Sequence, residues 1–268
     1  MIRSTRRWWA AAAVALVLLA SACAEERATK TDDTLPALSA TTVAPTTTLP
    51  CGDAPLAPGS SLSATAVPEG DIEIREAPDP AAPVVRTLPN PRLINGDPSA
   101  AVPLVFLVTD TPDAACDWVE VMLPVRPNGS TGFVRRSEVT LTPNPFRIEV
   151  HLEQYRLVVF QDDQPILDTK IGRATDATPT PPGLYYVTEL VKTPNPGGAY
   201  GPYAYGLSGF SEVLETFNGG PGQLAIHGTN QPQLIGQKVS HGCIRIHNDE
   251  ITRLAGILPL GVPVTVFA

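Results

Sequence analysis

The sequence predicts a mostly β protein: two β-rich units in tandem, the second carrying one short helix near its C-terminal end. Short runs that alternate apolar and polar residues recur from about Leu62 to Phe267, the spacing of half-buried strands. Proline and glycine punctuate those runs. The 29 prolines in 268 residues, about 11%, are roughly twice average usage, which puts proline into turns and linkers. Only 249–258 has helical spacing: Ile251, Leu254, Ala255 and Leu258 share a face, acids fill the first turn, and Asn248 or Asp249 is placed to cap it. The length allows one large domain or two modest ones. A net charge of −8 with no basic stripe argues against a nucleic-acid partner, since neutralising phosphates takes clustered Lys and Arg.

The N-terminus reads as an export signal. Arg3, Arg6 and Arg7 precede an apolar run from Trp8 to Ala20 that is too short to span a bilayer comfortably. Ala20-Ser21-Ala22-Cys23 then places small residues before a cysteine, so residues 1–22 are expected to be removed, leaving Cys23 as a site for a lipid anchor. Losing three arginines takes the net charge from −8 to −11. Residues 23–61 contain Thr-rich and Pro-containing stretches without apolar periodicity, the composition of a tether. With Cys23 lipidated and Cys243 assigned to chemistry (below), Cys51 and Cys116 remain. In an oxidising compartment they are expected to pair, a cross-link worth roughly 4 kcal/mol in the chain-entropy view.

From 62 to 142 the runs Asp71-Ile72-Glu73-Ile74-Arg75, Pro83-Val84-Val85-Arg86, 102–108, Trp118-Val119-Glu120-Val121-Met122-Leu123 and Gly132-Phe133-Val134 predict a small all-β unit. The stretch Ile72 to Pro78, with Asp117-Trp118-Val119-Glu120-Val121 and Gly132-Phe133-Val134-Arg135-Arg136, resembles bacterial SH3-like (SH3b) domains and implies a small β-barrel. Such domains often bind wall peptides; a spacer is the other use. Thr142-Pro143-Asn144-Pro145 reads as a hinge.

The second unit, 146–268, begins with a hairpin (Arg147 to Leu152, Arg156 to Gln161) continued by Ile166 to Gly172. Strands follow at Leu184 to Val187, Gln223 to His227, Cys243 to Ile246 and Val262 to Phe267. Between them, 192–222 is rich in Gly, Pro and Tyr and lacks clear periodicity. It suits either a lid over a site or a surface excursion with packed tyrosines.

The chemistry concentrates late in the chain. Read as one strand, 240–248 puts His241, Cys243, Arg245 and His247 on one face and Gly242, Ile244 and Ile246 on the other. A thiol among imidazoles and a guanidinium sits in positive surroundings, which lower a cysteine pKa. His227, ending an apolar strand sixteen residues upstream, is the candidate base, and Cys plus His is the minimum for an activated nucleophile. No Asp or Asn stands out to orient His227, so the carbonyl of Gly228 is the candidate. Backbone N–H groups around Gly242 and Cys243 are candidates for an oxyanion hole.

His227-Gly228, then Ser240-His241-Gly242-Cys243-Ile244-Arg245 with Asn248 just beyond, closely resemble the signature of the L,D-transpeptidase (YkuD) family. Tyr155 to Phe160, Ile171-Gly172, Thr178-Pro179-Thr180-Pro181-Pro182-Gly183 and Gly261-Val262-Pro263-Val264 resemble the rest of its catalytic domain, over roughly 146–268. The extra proline in Thr180-Pro181-Pro182-Gly183 departs from the usual Thr-Pro-Gly turn. The resemblance implies Cys243 as nucleophile and His227 as general base. Ser240, His241, Gly242, Arg245 and Gly228 would then shape the substrate and oxyanion side. It also implies a reaction needing no cofactor or metal. Cys243 attacks an L,D-peptide bond in a peptidoglycan tetrapeptide stem, D-alanine leaves, and an amine on a neighbouring stem resolves the thioester into a 3→3 cross-link. Carbapenem β-lactams would acylate the same cysteine, and water as acceptor would give L,D-carboxypeptidase activity.

Three rivals remain on the residues alone. His227, His241, Cys243 and His247 use zinc's preferred donors, but no carboxylate or second cysteine completes a familiar set. The others are a wall-binding lipoprotein with a vestigial site and a thiol hydrolase of other peptides. His247 reads as a histidine near the helix cap, and His151 and Trp118 as packing or surface residues.

Overall fold

The computed structural model describes residues 56–57, 59–94, 97–111 and 116–268. The expected signal peptide, Cys23, most of the tether and Cys51 lie outside the described residues. Cys116 is disulfide-bonded, and Cys243 is the free cysteine among the described residues.

The strands β1 (Ser61–Ala66), β2 (Gly70–Arg75), β3 (Val84–Asn90), β4 (Arg92–Leu93), β5 (Ala101–Val102), β6 (Val105–Asp110), β7 (Trp118–Met122), β8 (Thr131–Arg135) and β9 (Val139–Asn144) build the first unit. Seven of them form an antiparallel sheet in the order β3-β2-β8-β7-β6-β1-β9, while β4 and β5 pair separately. The period-two pattern explains the core: Ile72 and Ile74 of β2, Val119 and Val121 of β7 and Val134 of β8 are buried, with the more exposed Glu73 and Glu120 alternating between the first two pairs. The expected continuous strand over 102–108 is broken at Pro103-Leu104, because proline cannot donate to a ladder.

The second unit contains β10 (Phe146–His151), β11 (Arg156–Gln161), β12 (Gln164–Lys170), β13 (Arg173–Ala174), β14 (Gly183–Lys192), β15 (Tyr203–Phe210), β16 (Gln223–His227), β17 (Lys238–Ser240), β18 (Ile244–Arg245), the helix α1 (Asn248–Ala255) and β19 (Pro263–Phe267). Eight strands form one sheet in the order β12-β11-β10-β19-β14-β15-β16-β18. Its apolar face, including Ile148, Val150, Val264, Val187, Leu207 and Ile226, packs with Ile251, Leu254 and Leu258 from α1 and the turn after it. Tyr205 ties helix to sheet, its buried hydroxyl donating to the Leu254 carbonyl at 2.8 Å.

Three expectations change. Thr142-Pro143-Asn144-Pro145 is no hinge: Pro143 lies in β9 opposite Leu62, and only Pro145 separates β9 from β10. β9 ends the sheet order, where a missing proline N–H costs no ladder bond. Segment 192–222 is not one long loop, because β15 lies inside it, paired with β14 and β16. The helix is capped by His247, whose backbone N–H is accepted by Glu250 Oε2 at 3.1 Å, half of a capping box.

β14 also joins the two units. Tyr185 and Val187 face the second core, whereas Tyr186 clusters with Leu107 and Met122 of the first sheet. Nearby, Arg92 pairs with the buried carboxylate of Glu189.

Candidate active site

β16 and β18 run parallel with Ile226 opposite Ile244 and His227 opposite Arg245. Both isoleucines enter the core, so alternation turns His227 and Arg245 to the other side. The Ile246 N–H donates to the His227 carbonyl at 3.0 Å, which fixes the strand end that carries the imidazole.

Cys243 does not lie on a continuous strand, contrary to the parity reading. β17 ends at Ser240, Gly242 has φ +132°, and β18 starts at Ile244. That φ lies in the region glycine tolerates, and it turns the chain between the two strands. The Ser240 hydroxyl accepts the Gly242 N–H at 3.4 Å and donates to the Cys243 carbonyl. Thr180 Oγ1 donates to the Gly242 carbonyl at 2.8 Å. Ser240 therefore holds the turn, and it engages the Gly242 N–H that was expected to face a substrate oxyanion. Thr180, quoted in the sequence only as part of a turn motif, braces the same turn through that bond. His247 leaves the row altogether as the helix cap.

Burial sets the electrostatics. His227 is 3% exposed, and burial, helped by the Arg245 charge and opposed by the hydrogen bond to Gly228, lowers its pKa to about 4. Its Nδ1 lies 2.6 Å from the Gly228 carbonyl oxygen. A carbonyl can only accept, so Nδ1 carries the proton and the neutral ring keeps its lone pair on Nε2. Cys243 departs from expectation: burial raises its pKa, outweighing a backbone hydrogen bond with Ala225 and the Arg245 charge, both of which lower it. Positive surroundings exist, but desolvation wins. The resting pair is a thiol and a neutral imidazole.

Cys243 and His227 line one cleft of roughly 90 Å³, together with Ser240, His241, Gly242 and Arg245. Arg245 Nε is buried there without a hydrogen-bond partner among the described residues. Two aromatic walls join the cleft: Tyr200, in the segment expected as a lid or a surface excursion, lies 4.7 Å from the His227 ring, and Phe217, not singled out in the sequence, 5.3 Å from the exposed His241 ring, centroid to centroid. The tyrosine-rich composition of 192–222 was the available signal for the first.

Gly228 sits at a crowded junction. A Cβ there would stand 2.3 Å from Asn248 Oδ1 and 3.1 Å from Gly201 Cα, so the strand bearing His227, the loop bearing Tyr200 and the start of α1 can meet only through glycine. No group of three or more His, Cys, Asp or Glu that could hold a metal occurs among the described residues.

The profile of the YkuD L,D-transpeptidase catalytic domain matches residues 145–266. The YkuD protein of Bacillus licheniformis is 31% identical over 154 residues, which span 55% of this chain and 85% of that protein. Its counterpart in Bacillus subtilis is 34% identical over 122 residues, 46% of this chain and 66% of its own length. An L,D-transpeptidase structure from Mycobacterium tuberculosis, 16% identical, covers 62% of this chain and 90% of its own with a TM-score of 0.41. On the extent and identity of the Bacillus licheniformis match, and with Cys243 and His227 both inside the stretch that the family profile matches, this chain belongs to the L,D-transpeptidase (YkuD) family.

Proposed function

We propose that this chain is an exported peptidoglycan L,D-transpeptidase that forms 3→3 cross-links through a thioester on Cys243. The observation that carries the reading is the fixed, neutral His227: with Nδ1–H held by Gly228, its Nε2 lone pair is left to take the thiol proton in the shared cleft. Because the Cys243 pKa is raised, proton removal accompanies attack instead of preceding it. Sγ bonds to the carbonyl carbon of the stem's L,D-peptide bond, Nε2 takes the Sγ proton and returns it to the departing nitrogen, and D-alanine leaves. The amine of a second stem then attacks the thioester, a new amide forms, and the thiol regains its proton. Arg245 and His241 line the same cleft and are assigned to the substrate and oxyanion side.

The remaining assignments complete the picture: signal peptide 1–22, lipidated Cys23 and tether 23–61, an SH3-like unit 62–142, and the catalytic domain 146–268 outside the cytoplasmic membrane. Cys51 is assigned as the disulfide partner of Cys116.

Intact-protein mass spectrometry of the full chain, wild type and Cys243→Ser, tests the proposal after incubation with a carbapenem and then with tetrapeptide stems. A drug adduct and D-alanine release that both vanish in the variant are expected. A folded wild type giving neither would favour the wall-binding reading, and release without dimer formation in the presence of amine acceptors would leave a carboxypeptidase.

A further inference from the structure

A turn of the first unit reaches the cleft of the second. Between β7 and β8, Arg126 extends its guanidinium to three backbone carbonyls of segment 211–222: Nη1 donates to Pro221 at 2.7 Å, and Nη2 to Ser211 and Leu214 at 3.0 Å each. The same group lies 4.7 Å over the Phe210 ring. Two residues on, Asn128 makes a reciprocal pair with Phe210, accepting its N–H and donating to its carbonyl, both at 2.8 Å. One side-chain amide thus imitates a strand neighbour at the end of β15.

The segment so held forms a wall of the cleft. The Ser211 N–H donates to the Gly222 carbonyl at 2.8 Å and closes its neck, and Phe217 and Gly220 pair reciprocally at 2.9 Å near its tip. The tip meets the catalytic wall through Phe217, stacked on His241, and much of the segment, Glu212, Val213 and Glu215 included, is exposed. Exposed segments with few packed contacts open easily. A planar cation with five fixed donors suits three convergent carbonyls in a way that a point charge does not. Gly222 is shaped to the same contact: a Cβ there would stand 2.3 Å from the Leu214 carbonyl oxygen and 3.2 Å from Arg126 Nη2.

We propose that Arg126 and Asn128 are positioning residues for the reaction: by fixing segment 211–222 they hold Phe217 over His241 and set the width of the entrance to Cys243. The first unit then completes the cleft as well as spacing it from the membrane. The proposal rests on Cys243 being the reactive thiol of this cleft, and its application to stem peptides rests on the function proposed above.

The test uses the full chain as wild type, Arg126→Ala, Arg126→Lys and Asn128→Ala. Peptide mass spectrometry follows labelling of Cys243 by a small reagent, iodoacetamide, and a bulky one, a polyethylene glycol maleimide, alongside kcat and KM for D-alanine release from tetrapeptide stems. In Arg126→Ala the ratio of bulky to small labelling should rise about tenfold, and KM by a similar factor with kcat changed far less, the size expected for losing charge-assisted hydrogen bonds. Arg126→Lys should recover part of both, and Asn128→Ala should move both in the same direction by less. An unchanged labelling ratio in a folded Arg126→Ala or Asn128→Ala protein overturns the proposal. So does a change in which labelling by both reagents rises in proportion while kcat falls, the mark of a general structural defect that exposes the thiol. If the wild type releases no D-alanine while the ratio shifts as stated, the stem-peptide reaction is lost and the positioning role stands.

Discussion

The side-chain oxygen of Asn248 accepts the Thr229 backbone N–H at 2.7 Å, tying the first residue of α1 to the chain just beyond His227 and Gly228. Thr229 is 1% exposed, so no water can replace the bond. Asn248→Ala should cost about 1–3 kcal/mol, the usual penalty for a buried N–H left unpaired, and should slow D-alanine release because the Gly228 carbonyl loses its anchorage. Asn248→Asp keeps an acceptor and should recover most of the stability. Urea midpoints of the three proteins decide the matter, and equal midpoints would remove Asn248 from the account.

His227 makes stability depend on pH. Its pKa is about 4 in the folded chain against an ordinary 6.5, so between these values the unfolded chain binds the extra proton. Folding stability is therefore full above about pH 6.5 and falls as pH drops toward 4, by roughly 3 kcal/mol on this group alone. His227→Gln should flatten that part of the curve, measured as urea midpoints at pH 7.5 and 4.5. The same slope in the variant would assign the effect to other groups.

Cys243 should be a sluggish thiol on its own. With its pKa raised by burial, alkylation by iodoacetamide at pH 7 should be slower than for an exposed cysteine and should climb steeply only in alkaline solution. Arg245 is one of the influences holding that pKa down, so Arg245→Gln should move the alkaline limb higher still. A rate at pH 7 matching a free thiolate would contradict the thiol and neutral imidazole assigned here.

Tyr186 is fully buried where the two units meet, yet its hydroxyl has no hydrogen-bond partner among the described residues. A buried hydroxyl without a partner is a cost. Tyr186→Phe should therefore be neutral or stabilising by up to about 1 kcal/mol, read as a thermal midpoint equal to or above the wild type. A clear loss would reveal a partner for that hydroxyl.

Where side chains alternate, the fold was legible: the strand expected at Gln223 to His227 is β16 to the residue, and Ile148 and Val150 mark the buried face of β10. β15 escaped because it is buried almost throughout, so no alternation survives, and its glycines suggest a loop. They are there for space: a Cβ on Gly206 would meet the Glu189 carboxylate at 2.3 Å, and one on Gly209 the Tyr185 ring at the same distance. The nucleophile and base candidates stood out by residue type and spacing. The direction of the Cys243 shift did not, since charge can be counted in a sequence whereas desolvation depends on which distant strands cover the thiol. Arg126 was equally silent, because its three partners are backbone carbonyls some ninety residues away and carbonyls leave no mark in a sequence.

β19 follows every other strand in the sequence, yet it lies mid-sheet, parallel to β10 and antiparallel to β14. Until Pro263–Phe267 arrives, the hairpin of β10 and β11 has no connection through the sheet to β16, which ends in His227, or to β18, which follows Cys243. During synthesis, His227 and Cys243 thus emerge before the strand that joins the two parts of their sheet, and the cleft stays unassembled until Phe267 has been made.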